Sequence, residues 1–256
     1  EGIVPTVYPH EIIDWNEQHV GEVDKLPGIH SEEQFAAWLK VYNRNVDKWE
    51  AMNVADSVEL AHYGVHNDGE TPGTDGWTFY LWNDIDCKDM KPDANGAFVK
   101  ALTEGVTFDG KGYVLHNLML DFEHTAPSSG RVGLIGEIRG GRLRNLHLDF
   151  VTVRNMDVDT PSGCIAGRIS SGQIFDCTVR EAKMMCRGGV AGVLAGEMSG
   201  GDMAGCKFHG MVQAKEMQDE TEWGYKKIVN GVVGRMPSDF KGTVANDIIN
   251  RVFITD

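Results

Sequence analysis

The sequence predicts an all-β fold, a right-handed parallel β-helix (solenoid) of about four to five coils with an N-terminal capping helix. Three observations predict it. The first is a repeat. Val132–Leu148, Gly163–Val179 and Gly192–Phe208 superimpose at offsets of 31 and 29 residues, with glycines aligned at Gly136, Gly167 and Gly196 and again at Gly141, Gly172 and Gly201. The second is alternation inside each copy, as in Leu146-His147-Leu148, whose period of two marks a strand with one buried face. The third is glycine itself, 31 of 256 residues, about 12% against a usual level of about 7%.

In chain order, residues 1–30 show no convincing period and read as an extended lead-in to a single β-helix domain over 31–256, with a helical cap and loop at 31–75 and coils from 76 onward. Ser31-Glu-Glu-Gln34 is a capping-box sequence that opens a helix, in which Phe35, Trp38, Leu39 and Tyr42 recur at helical spacing. So heavy an apolar stripe needs a partner, and the open end of a β-helix both supplies one and benefits from having its strand edges covered. Gly76–Asp86 reads as a strand that buries Trp77, Phe79, Leu81 and Ile85 and turns Tyr80 and Trp82 outward. Phe108–Leu120 fits the second half of the repeat at an offset of 28, and Asn230–Met236 opens a further copy whose second half, Gly242–Ile254, has drifted. Two irregular insertions are expected, at His62–Gly76 and at about 213–227.

The copies define columns. Leu115, Leu143, Ile174 and Met203 form one, Leu118, Leu146, Cys177 and Cys206 a second, and Leu120, Leu148, Val179 and Phe208 a third. Cys177 and Cys206 therefore read as small buried hydrophobes, while a bridge between Cys164 and Cys186 stays open. Asn117, Asn145 and Asp176 align at a bend, where a short polar side chain satisfies exposed backbone. Glu137, Arg168, Glu197 and Arg235 form an outward column of alternating sign. A second outward column reads Asp121, Asp149, Arg180, His209, which sets two carboxylates side by side.

The ordered set Ser31–Trp38, Tyr80–Asp86 and Phe108–Leu118, followed by Gly133-Leu-Ile-Gly136 and Gly163-Cys-Ile-Ala-Gly167, resembles bacterial surface β-helix proteins carrying GLUG-type repeats over roughly residues 29–236. Gly205, standing where other copies carry Asn or Asp, and the drifted last half-copy depart from the pattern. The resemblance implies an exported protein at the extracellular or outer cell surface, in some cases a lipoprotein, with no assigned enzymatic activity and an adhesin-like role. The chain begins at Glu1 without a charged-then-apolar leader, as in a processed exported protein or a trimmed sequence.

Composition narrows the partners. A net charge of −14 argues against nucleic acid, which needs a basic face, and no apolar run approaches the length of a transmembrane helix. No cofactor or metal motif is found; Asp68, Glu70 and Asp75 lack calcium-loop spacing. Two function classes remain. The first is binding of a glycan or surface-protein ligand, by a monomer or a part of a larger surface assembly, with Trp223, Tyr225, Tyr80 and Trp82 as the candidate contacts, since exposed aromatics among polar groups suit such ligands. The alternative is a polysaccharide lyase or glycoside hydrolase using Asp121, Asp149, Arg180 and His209.

Overall fold

A computed structural model describes residues 26–67, 76–128, 130–157, 160–187, 190–215, 231–236, 238–244 and 249–255. The chain forms a parallel β-solenoid of about four turns. The first sheet stacks Gly76–Tyr80, Thr107–Asp109, Arg142–Arg144, Gln173–Phe175, Gly200–Ala204 and Lys241–Val244, all parallel. The second runs from Ile85–Asp86 through Val114–His116, His147–Asp149, Thr178–Arg187 and Lys207–Lys215 to Ile249–Thr255. Met119–Phe122 and Thr152–Asn155 extend its middle. The third stacks Ala97–Thr103, Gly133–Arg139, Ala166–Ile169, Ala195–Met198 and Val233–Arg235.

Inward ladders carry the core. Phe79, Phe108, Leu143, Ile174 and Met203 oppose one another in the first sheet, and Ile85, Leu115, Leu148, Val179 and Phe208 in the second. All are buried, each worth about 1.5–3 kcal/mol of transfer free energy. Leu120, Val153, Met184 and Val212 add a third ladder.

This register corrects the expected alignment of the Phe108–Leu120 copy. Leu115 stands opposite Leu148 and not beside Leu143, and Leu120 stands opposite Val153 and not Leu148. Leu118 likewise leaves the Leu146 column, since its carbonyl receives the amide of Thr152. The slip is five residues, and its cause is visible. Leu143, Leu148 and Val153 are spaced by five, so a copy matched on that spacing alone fits equally well one step out of place. The bend through Lys111 and Gly112 adds two residues between Phe108 and Leu115, and this shifted the apparent match.

The bends repeat a left-handed backbone. Asn145, Asp176 and Gly205 have φ of 52°, 53° and 65° at the first bend, so the Gly205 departure keeps the same geometry. Asn117, Phe150 and Glu181 have φ of 57°, 56° and 52° at the second bend. Asn117 therefore belongs to the second bend and not to the Asn145 column. Asn145 Nδ2 donates to Asp109 at 3.1 Å and Asn117 Nδ2 to Asp86 at 2.9 Å, so these amides bond to carboxylates and not to the exposed backbone expected as their partner. Glycine serves two further needs. Gly172 has φ 104°, and a Cβ at Gly196 would lie 2.2 Å from the Ser162 amide nitrogen.

Helix α1 (Glu32–Asn45) starts at Ser31, whose side chain accepts from the Gln34 amide, and buries Phe35, Trp38, Leu39 and Tyr42. Trp38 packs 5.4 Å from the Phe79 ring and 5.1 Å from that of Phe108. The helix also covers a sheet edge. Asn43 accepts from Lys100 N at 2.8 Å and donates to Phe98 O at 2.7 Å, and Tyr42 Oη donates to Ala101 O at 2.8 Å. Burial pushes the Tyr42 phenol far above its usual pKa. A second helix, α2 (Val54–Leu60), is capped by Asn53 and was not anticipated. Asp56, on α2, accepts from Arg44 Nε at 2.8 Å and from Asn45 at 2.6 Å, which ties α2 to α1.

Other expectations resolve in detail. Part of the His62–Gly76 insertion is ordered as a strand, Gly64–Asn67, antiparallel to Gly76–Tyr80; residues 68–75, with Asp68, Glu70 and Asp75, lie outside the described residues. The expected insertion at 213–227 begins as strand through Lys215, and 216–230 lie outside the described residues. Of the lead-in, Ile29 pairs with Leu81. Lys241–Val244 and Ile249–Thr255 keep the parallel register despite their drifted sequence. All five cysteines are free and buried, Cys164 and Cys186 included. The column Glu137, Arg168, Glu197, Arg235 holds in register, with Glu197 contacting Arg168 at 3.4 Å and bonded to Arg235. Glu137 is only 8% exposed and takes Arg131 at 2.9 Å in place of Arg168.

Candidate functional site

Alternation in Gly76–Tyr80 buries Trp77 and Phe79 and leaves Tyr80 on the outside of the first sheet; Trp82 follows buried Leu81. Both outward rings are half-buried, with centroids 5.8 Å apart and planes inclined by 31°. Trp82 Nε1 donates to Pro27 O at 3.0 Å, and a Cβ at Gly28 would fall 2.0 Å from Trp82 Cδ1. Glycine is therefore what lets the chain ahead of α1 run against the indole.

The next coil supplies a cation. Lys111, at a left-handed bend, holds Nζ 4.9 Å from the Tyr80 ring centre and 5.3 Å from that of Trp82. Asp109 stands behind it. This buried carboxylate accepts from Lys111 N at 2.9 Å, Arg144 Nε at 2.9 Å and Asn145 Nδ2 at 3.1 Å, and lies 3.6 Å from Lys111 Nζ. Burial lowers the Lys111 pKa against the pull of Asp109, and burial, with the Asp109 charge adding, raises that of Tyr80. The result is an aromatic pair with the Lys111 ammonium over both rings, while Asp109 engages that ammonium and the Arg144 guanidinium together.

The four residues of the hydrolytic alternative do not form one column. Asp121 pairs in register with Arg154, at 3.4 Å, and belongs to a different ladder from Asp149. The five-residue slip had placed them side by side. Asp149 does meet Arg180, at 3.0 Å, while His209 Nδ1 lies 3.3 Å from Glu181. Asp149 has instead a neighbour that the sequence did not suggest, His116, whose Nδ1 is 4.0 Å away; Asp84 approaches the same imidazole from Nε2 at 3.9 Å. His147 shares this face, its pKa lowered by burial and by Arg180 and Lys207.

Trp223 and Tyr225 lie outside the described residues. The sequence reading also missed Lys111 and Phe150. Lys111 was hidden because its partners Tyr80 and Trp82 sit one coil away, some 30 residues back in sequence. Phe150 has an exposed side chain, although a phenylalanine directly after a strand reads as core. Among the described residues no helix is long and apolar enough to cross a membrane. Comparison with protein-family models, curated proteins and solved structures finds no match to the chain.

Proposed function

We propose that the chain is an exported, non-enzymatic surface protein of the GLUG-repeat kind, with an adhesin-like role, and that it binds glycan on the side of the solenoid at Tyr80 and Trp82. The observation that carries this reading is the half-buried ring pair with Lys111 held against both rings. Sugar rings present C–H faces to aromatics and hydroxyls to charged donors, so rings and cations on one edge are complementary to them. A solenoid leaves the activity to its surface sites, and this is the site that the sequence motif and the packing share.

The lyase or glycoside hydrolase alternative now rests on Asp149 with His116 and Arg180, since Asp121 and His209 have partners elsewhere. A printed array of oligosaccharides, probed with the intact chain, tests the binding reading. Binding should fall at least tenfold in Trp82→Ala and Tyr80→Ala while thermal unfolding still shows a cooperative transition. Equal binding by the double variant would refute the site. Product release from acidic polysaccharides, abolished by Asp149→Asn, would refute the non-enzymatic reading.

A further inference from the structure

A groove of about 680 Å³ lies between α1 and residues 87–96, the loop that leads into Ala97–Thr103. Ligand pockets have this size, roughly 300–1,000 Å³. Leu39, Met90 and Phe98 form its apolar floor. Both walls are fixed by bonds within the chain. Asn43 ties α1 to the strand, donating to Phe98 O at 2.7 Å and accepting from Lys100 N at 2.8 Å. Across the loop, Met90 N donates to Cys87 O at 3.0 Å and Asp93 N to Ala97 O at 3.2 Å. These bonds hold the groove open through the backbone and one amide, and they use none of its charged side chains.

The charges on the groove fall into two sets. Arg44 is bonded to Asp56 and lies 3.4 Å from Glu59, and Lys100 is bonded to Asp47. Lys40, Asp89, Lys91 and Asp93 are exposed, and among the described residues none of the four has an ion pair or a side-chain hydrogen bond. Glu32, one turn ahead of Ala36 on the same face of α1, adds an unpaired carboxylate toward Cys87. Unpaired charges of both signs around one apolar floor are complementary to a ligand that itself carries both signs. A neutral glycan would leave all of them unmatched. A uronate or sulfated glycan would meet Asp89 and Asp93 as like charges. A peptide segment supplies what the groove lacks: an apolar side chain for the floor, where the Met90 thioether adapts to its shape, and basic and acidic side chains around it.

We propose that the groove between α1 and residues 87–96 docks a peptide segment of a protein partner, an apolar residue flanked by basic and acidic side chains. The apolar side chain sits on Leu39, Met90 and Phe98. The basic groups of the ligand face Asp89 and Asp93, and its acidic groups face Lys40 and Lys91. The groove shares no residue with the Tyr80 and Trp82 site and stands whether or not that site takes glycan.

The test is an array of short immobilised peptides with a central leucine or glycine, whose flanks are mixed Lys and Glu, all Lys, all Glu or all Gln. It is probed with the intact chain and with three variants: Asp89→Lys with Asp93→Lys, Lys40→Glu with Lys91→Glu, and Lys183→Glu as a charge change on another face. Leucine peptides with mixed flanks should capture the parent at least about fivefold better than every other set, and capture should weaken as salt rises. The first double variant should shift its preference to all-Glu flanks and the second to all-Lys flanks, while Lys183→Glu keeps the parent's pattern. All substituted positions are exposed, so melting temperatures close to that of the parent separate lost contact from lost fold. The proposal is overturned by absent capture of mixed-flank peptides, by equal capture across the flank sets or of glycine peptides, or by an unchanged preference in both double variants. Displacement by free leucine would also overturn it, since the groove would then take a single amino-acid zwitterion.

Discussion

The two bends of each coil share a backbone conformation and differ in what fills it. The first carries Asn145, Asp176 and Gly205, residue types that enter the left-handed region at low cost. The second carries Asn117, Phe150 and Glu181. At the first bend Asn145 bonds to Asp109, and a Cβ at Gly205 would strike the Asp176 carboxylate, 2.0 Å from Oδ1. At the second bend Asn117 is explained in the same way by Asp86, Glu181 lies 3.3 Å from His209 Nδ1, and Phe150 has an exposed side chain. The same left-handed φ thus holds residue types that adopt it readily at the first bend, and at the second bend two that adopt it at a cost, Phe150 and Glu181.

The largest expected effect tests the first bend. Asn145→Val places a β-branched residue at positive φ and removes the bond to Asp109, a loss of about 2–3 kcal/mol that urea denaturation would read directly. A loss under about 0.5 kcal/mol would show that the bend tolerates any residue, and the contrast with Phe150 would vanish.

A smaller effect is expected from pH at the second bend. Asp86 has its pKa lowered first by the Asn117 amide and then by the Lys88 backbone amide. A depressed carboxylate pKa contributes stability that is present above the unfolded value of about 3.9 and is lost as pH falls through the lower folded value. The melting temperature should therefore drop through this acidic window, and less steeply in Asn117→Ala. Matching acid profiles for the two chains would show that the bond does not hold the bend.

The sequence exposed the ladders because burial on parallel stacked strands repeats residue types coil after coil, as in Leu143, Ile174 and Met203. It exposed the capping helix through Ser31 and the stripe Phe35, Trp38, Tyr42. It misplaced Leu115 and Leu120 because a five-residue spacing occurs twice per coil and does not distinguish its two occurrences. That one error also joined Asp121 to Asp149 in a carboxylate pair that the register does not form. Helix α2 and the strand Gly64–Asn67 were too short for their periods to register. Of the candidate sites, Tyr80 and Trp82 were legible from alternation, whereas Lys111, His116 and Phe150 depend on which residue the next coil brings alongside or on the sign of φ.

The most direct test of the distinction between the two bends is the melting temperature of Phe150→Asn. Relief of backbone strain in a chain of this size should raise it by about 2–4 °C, corresponding to about 1 kcal/mol. A fall of similar size would contradict the account, because it would mean that Phe150 supports the solenoid from within.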